Sequence, residues 1–110
     1  MTTTAQNFTM WSGDDKTITV TLSTDITGAT INYAIAASVG STALITKATG
    51  GSGIAITDAA NGIFTIDLDP TDTSSKAGVY YHECQVTDTS AVVSTVFVGS
   101  VTINADLIIT

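Results

Sequence analysis

The chain has no arginine, and it carries one histidine (His82), one proline (Pro70), one cysteine (Cys84) and one tryptophan (Trp11) in 110 residues. Its cations are Lys16, Lys47 and Lys76 alone, and the net charge is -7. Phosphate backbones are gripped by clustered Lys and Arg, so three scattered lysines speak against a nucleic-acid partner. The same balance disfavours docking on an anionic membrane surface. A lone cysteine has no intrachain disulfide partner, so the domain must rest on its hydrophobic core. No apolar run approaches the roughly 20 residues that a membrane-spanning helix needs. The opening Met1-Thr2-Thr3-Thr4-Ala5-Gln6-Asn7 has neither a basic start nor an apolar stretch. No signal peptide is read there, and synthesis in a cytoplasm is expected.

What is present is apolar and β-branched. Hydrophobic residues make up 44% and charged residues 12%, which sets the chain apart from disordered compositions. Its length suits one domain with a two-layer core. Abundant Thr, Val and Ile fit a pleated, half-buried surface better than a helical bundle.

Alternation then places the strands. Lys16 to Ser23 is the clearest, with Ile18, Val20 and Leu22 alternating with Thr17, Thr19 and Thr21. Ala29 to Ala37 puts Ile31, Tyr33 and Ile35 on a core face. Its other face, Thr30, Asn32, Ala34 and Ala36, is small and only partly polar, which suits contact with a neighbour. Shorter strands are expected at Phe8–Trp11, Ala43–Lys47 and Ile54–Thr57. Ile63–Leu68 follows Asn61-Gly62, a turn pair that tolerates positive φ, with Phe64, Ile66 and Leu68 inward. The last strand, Val92 to Ile103, changes phase at Gly99. A bulge there would bring Val96, Val98, Val101 and Ile103 to one face. Trp11 is expected to cover one end of the core. Residues 1–7 read as a polar arm, 8–103 as the domain and 104–110 as a tail with the apolar cluster Leu107-Ile108-Ile109. An apolar tail needs a partner surface or a place in a sheet. Phe8, Trp11, Leu107, Ile108 and Ile109 are therefore the candidate contact residues.

The stretch from Leu68 to Val86 organises the rest. A strand ends at Leu68, and a short helical turn is expected from Pro70 to Lys76. Asp69 stands before it and Asp72 occupies the position of a capping-box acid. A long strand then starts at Gly78, with Tyr80 near its beginning. A tyrosine at that place bonds back to the connection in the corner joining the two sheets of an immunoglobulin-like sandwich. The fold class expected is thus all-β, an immunoglobulin-like antiparallel sandwich of about seven to eight strands.

Catalytic and metal chemistry find little support. His82 and Cys84 share a strand face, but no third orienting group accompanies them, so a buried cysteine beside a hydrogen-bonded histidine is expected. Asp67, Asp69 and Asp72 lack the ligand spacing and closing glutamate of a calcium loop. Gly50-Gly51-Ser52-Gly53 lacks the Gly-Lys-Ser/Thr ending of a phosphate loop. No cofactor and no enzymatic activity are expected.

Several motifs resemble, in order and spacing, those of immunoglobulin-like modules of tailed-phage virions. They are Gly13-Asp14-Asp15, Thr27-Gly28-Ala29-Thr30-Ile31, Ile56-Thr57-Asp58-Ala59-Ala60-Asn61-Gly62, Leu68-Asp69-Pro70-Thr71-Asp72-Thr73, Ala77-Gly78-Val79-Tyr80-Tyr81 and Gln85-Val86-Thr87-Asp88. The organisation over about 13–103 is similar to the N-terminal domain of phage baseplate upper proteins. The resemblance implies a structural module in a virion, with other virion proteins or further copies of itself as partners. No coiled coil or receptor-binding part follows, so the expectation turns to an accessory piece: a head decoration, a neck component or a peripheral part of the tail or baseplate. A carbohydrate-binding or adhesion module is the other reading, with Trp11, Tyr80 and Tyr81 as its only candidate platforms.

Overall fold

The computed structural model describes residues 4–107. Among them nine strands form two sheets: β1 (Thr4–Ala5), β2 (Phe8–Trp11), β3 (Lys16–Thr21), β4 (Thr30–Ala36), β5 (Ala43–Ala48), β6 (Ile54–Asp58), β7 (Ile63–Leu68), β8 (Gly78–Thr87) and β9 (Val93–Asn104). One sheet runs β1-β9-β8-β4-β5 with β2 also on β9, and the other runs β3-β7-β6. The molecule is the expected all-β sandwich, with immunoglobulin-like strand order. One departure is that β1 and β2 pair with β9 in parallel, not antiparallel.

The alternations place the core between the sheets. Ile31, Tyr33 and Ile35 of β4 and Cys84 and Val86 of β8 face Phe64, Ile66 and Leu68 of β7, and all are buried. Each buried aliphatic of this kind contributes roughly 1.5–3 kcal/mol before chain entropy is counted. Ile18, Val20, Leu22, Ile54 and Ile56 are half-buried. They lie in the two outer strands of the narrower sheet or, for Leu22, one residue past the end of β3.

The corner is built as read. Tyr80 Oη donates to the Ala77 carbonyl at 3.3 Å. The helical turn is shorter than expected, α1 at Pro70–Thr73. Asp72 accepts the Asp69 N–H at 2.8 Å, the reciprocal half of a capping box. Thr73 is fully buried and ties α1 to the first turn of the chain. It accepts the Gly13 N–H on Oγ1, and its carbonyl accepts Ser12 Oγ, both at 2.9 Å. At the β6–β7 connection Gly62 has φ 72°, and a Cβ there would strike the Thr24 carbonyl oxygen.

Three expectations are corrected. The bulge in the last strand lies at Val96, between Thr95 and Phe97, not at Gly99. Val96 and Phe97 are therefore both buried, the inward phase continues through Val101 and Ile103, and Val98 points outward. Trp11 does not cover the core: it is 53% exposed, because Phe8 and Met10 take the inward phase of β2. The arm expected over 1–7 is partly sheet, since Thr4 and Ala5 pair with Phe97 and Val98, and Gln6 N–H donates to the Val98 carbonyl at 2.8 Å. Of the tail, Ile108 and Ile109 lie outside the described residues, and Leu107 is 95% exposed.

Candidate functional site

The residues with the most chemical character lie inside the sandwich. His82, buried on the inner face of β8, sits opposite Gly99 of β9. Its Nε2 meets the Gln6 carbonyl at 2.5 Å, and its Nδ1 meets Tyr33 Oη at 2.9 Å. A carbonyl only accepts, so Nε2 carries the hydrogen and Nδ1 accepts from the tyrosine hydroxyl. Both nitrogens of a neutral ring are thus satisfied. Phe8, Tyr33 and Phe97 pack around the imidazole at centroid distances of 5.1 to 5.6 Å from His82. Burial pushes the Cys84 thiol up to about 12 and also raises the Tyr33 hydroxyl. Cys84 is fully buried and held as the neutral thiol, the opposite of an activated nucleophile. The His82–Cys84 pair is a packing feature, as its sequence context suggested.

Burial also lowers the His82 basicity below its ordinary 6.5, against the opposing bond to Gln6. The unfolded ring then takes up a proton before the folded ring does. This contribution to stability is complete above about pH 6.5 and is lost as pH falls through the lower folded value. The urea midpoint is expected to drop between about pH 7 and about pH 5, and His82→Gln to flatten that slope. An equal slope in both proteins would remove His82 as its source.

The acidic residues near the corner are separately engaged. Asp67 accepts from Thr17 Oγ1 at 2.8 Å, and Asp69 accepts from Thr71 Oγ1 at 2.7 Å. That bond from Thr71 is the main reason the Asp69 carboxyl lies below its ordinary value. Asp72 forms an ion pair with Lys47 at 2.8 Å. Lys47 is on the inward face of β5 and is 8% exposed, so the pair bridges the edge of the wide sheet to the corner. Among the described residues no group of three or more His, Cys, Asp or Glu is placed to hold a metal ion. No helix among them is long and apolar enough to cross a membrane.

The surface suited to a function is the outer face of the wide sheet. On a solvated antiparallel sheet the outward positions are commonly polar. Here they include Val79 and Tyr81 of β8, Val98 of β9, Leu44 of β5 and Trp11 of β2, all at least 39% exposed. Ala34 and Ala36 of β4 lie between, and register places Ala36 beside Tyr81 and Ala34 beside Glu83. Small side chains in the middle with larger ones around them leave a shallow depression of about 500 Å³. Tyr81, Val98, Val39 and Asn7 contribute to its walls. Such a face can bury apolar area against a flat protein partner without a charge to desolvate except that of Glu83.

Of the contact residues nominated from sequence, Trp11 and Leu107 are exposed, while Phe8 is half-buried against the core. Sequence reading noticed the small face of β4 and named Tyr81 only as a sugar platform, without placing Tyr81 or Val98 beside that face. Of the corner residues, Pro70 and Asp72 belong to the capped turn α1, and Tyr80, two residues after Gly78, bonds to the Ala77 carbonyl. No protein-family model matches the chain, and no curated protein matches it significantly.

Proposed function

We propose that the protein is a non-enzymatic structural component of a tailed-phage virion, an accessory decoration or neck or tail module that docks on other virion proteins. The observation that carries the docking role is the apolar outer face of the wide sheet, with Tyr81 and Val98 beside the small residues of β4. The virion setting rests on the resemblance of the motifs between Gly13 and Asp88. The role fits an interior where the one histidine and one cysteine are spent on packing. A place in the baseplate periphery is a variant of the same reading.

The test is a density gradient of material from the native source, followed by mass spectrometry. Co-sedimentation with particles is the expected result, and separated heads and tails then give the position. In particles carrying Tyr81→Asp with Val98→Asp, the chain is expected to be lost from the particle band while purified protein keeps its far-UV spectrum. A chain that stays at the top of the gradient as a free protein refutes the virion role.

A carbohydrate-binding role draws on one specific observation: Trp11 and Tyr81 are aromatic side chains exposed on the same outer face, at 53% and 43%. Glycan-array binding that disappears in Tyr81→Ala would favour it, and silence across the array would count against it.

A further inference from the structure

The stretch ahead of β2 is tied to β9 by backbone and polar contacts. Thr4 and Ala5 pair with Phe97 and Val98, the Gln6 N–H donates to the Val98 carbonyl, and Asn7 Oδ1 accepts the Ser100 N–H. Gln6 and Asn7 are polar and exposed, so lifting them gives up little apolar burial of their own. Met10, further along, is 5% exposed in the core and anchors β2. A lightly held stretch, Thr4–Asn7, therefore precedes a fixed one.

From this stretch the Gln6 carbonyl reaches inward to His82 Nε2. The ring is satisfied only while it is neutral. A further proton goes to Nδ1, which accepts the Tyr33 hydroxyl at 2.9 Å. Two hydrogens then meet, and the tyrosine, 1% exposed, must turn its own away from its acceptor. The new charge would lie among Phe8 of β2, Tyr33 of β4 and Phe97 of β9. Of the titratable groups around it, Tyr33 and Cys84 are kept neutral by burial, and the Tyr80 hydroxyl is turned to the Ala77 carbonyl. Lys16 of β3, with Nζ 5.2 Å from the Phe8 ring centroid, has the same sign as the new charge. Glu83 lies on the opposite, outward face of β8. Among the described residues no carboxylate forms an ion pair with the ring. A buried charge without a counter-ion is stable only if water reaches it. The residue bonded to Nε2 is itself exposed, so lifting it is the short route for that water.

We propose that His82 is an acid-sensitive latch: protonation of its ring releases Thr4–Asn7 from β9 while the sandwich stays folded. In the released form the ring titrates near its ordinary 6.5, and in the closed form burial makes it resist the proton. The closed form is therefore favoured above about pH 6.5 and loses ground below it. From about pH 7.5 to about pH 5 the opening equilibrium rises by up to about thirty-fold. Release frees the edge of β9 from Phe97 to Ser100 and takes Asn7 out of the wall of the outer-face depression. The latch is independent of the virion reading and stands or falls without it.

Amide exchange of the full chain, followed by NMR over this pH range and corrected for intrinsic rates, tests the latch. Opening at the Gln6 and Ser100 amides is expected to increase in step with titration of the His82 ring signal. The amides of β4 and β8 are expected to keep their protection. His82→Gln takes up no proton and should abolish the increase. Opening at Gln6 and Ser100 that ignores pH overturns the proposal. So does an equal increase in His82→Gln, and so does a loss of protection in β4 and β8 at the same pH, which would be unfolding of the whole domain. If His82→Gln fails to fold, the match between the ring titration and the Gln6 and Ser100 amides in the wild-type chain decides alone.

Discussion

Gly99→Ala is expected to destabilise the protein by about 3 kcal/mol, although alanine in a strand normally improves on glycine by roughly 0.5–1 kcal/mol. Gly99 is not among the glycines with positive φ, so backbone strain plays no part. The reason is contact. A Cβ on Gly99 would collide with the Gln6 carbonyl oxygen, with the Gln6 carbonyl carbon at 2.6 Å and Asn7 Oδ1 at 2.7 Å. Backbone cannot step aside as a side-chain tip does. The N-terminal segment would have to lift from β9 at its middle. That breaks the Gln6 N–H bond to Val98 and the Ser100 N–H bond to Asn7 Oδ1, each 2.8 Å long. It also takes the Gln6 carbonyl from His82, leaving a buried ring N–H without its acceptor. An unsatisfied buried donor alone costs about 1–3 kcal/mol. Urea unfolding gives the free energy, and amide exchange should show residues 4–7 losing protection first. A Gly99→Ala protein as stable as the original would show that this crossing is not tightly packed.

Asp72→Ala is expected to cost about 2–4 kcal/mol, because one carboxylate serves two structures. It accepts the Asp69 N–H at the start of α1, and it neutralises Lys47 at 2.8 Å. Removing it leaves an ammonium on the inner face of β5 with 8% exposure and no direct ion pair, only the weaker pull of the Asp69 carboxylate. The Asp72 side chain is 18% exposed, so the penalty stays below that of a fully enclosed pair. Lys47→Met in the Asp72→Ala background should recover about half of the loss, since the stranded charge goes while the missing cap remains. Thermal or urea unfolding of the three proteins measures this. Additive losses in the double variant would mean that Lys47 and Asp72 do not act as a pair.

The docking face follows from choices that a sequence leaves open. Val96, Phe97 and Val98 are three apolar residues in a row, so alternation cannot say which of them faces in. The reading from sequence placed the bulge at Gly99 to align valines, whereas the chain puts it at Val96 and sends Val98 outward. β2 holds Phe8 and Met10 on one face and Trp11 on the other, and size alone favoured the tryptophan as the buried one. Packing favoured two smaller side chains over one larger, and Trp11 joined the exposed face. Tyr81 and Val98 were invisible as neighbours of Ala36 and Ala34, because cross-strand register is a long-range property.

The sequence by itself determined the strands from β2 to β9, the turns between them and the corner, while β1 falls within the stretch that reads as a polar arm. Period-two alternation, the Asn61-Gly62 turn, Pro70 with its acidic neighbours and Tyr80 after Gly78 all act within a few residues. Local sterics and side-chain burial settle them without reference to the rest of the chain. The tertiary structure alone decided that the N-terminal strand runs parallel to β9, that Gly99 is small because Gln6 crosses it, and that Lys47 reaches Asp72. Among the described residues it also left β3 as an outer strand of the narrow sheet. These are pairings between segments far apart in sequence, chosen by which edge, which register and which buried polar partner best satisfy one another in three dimensions.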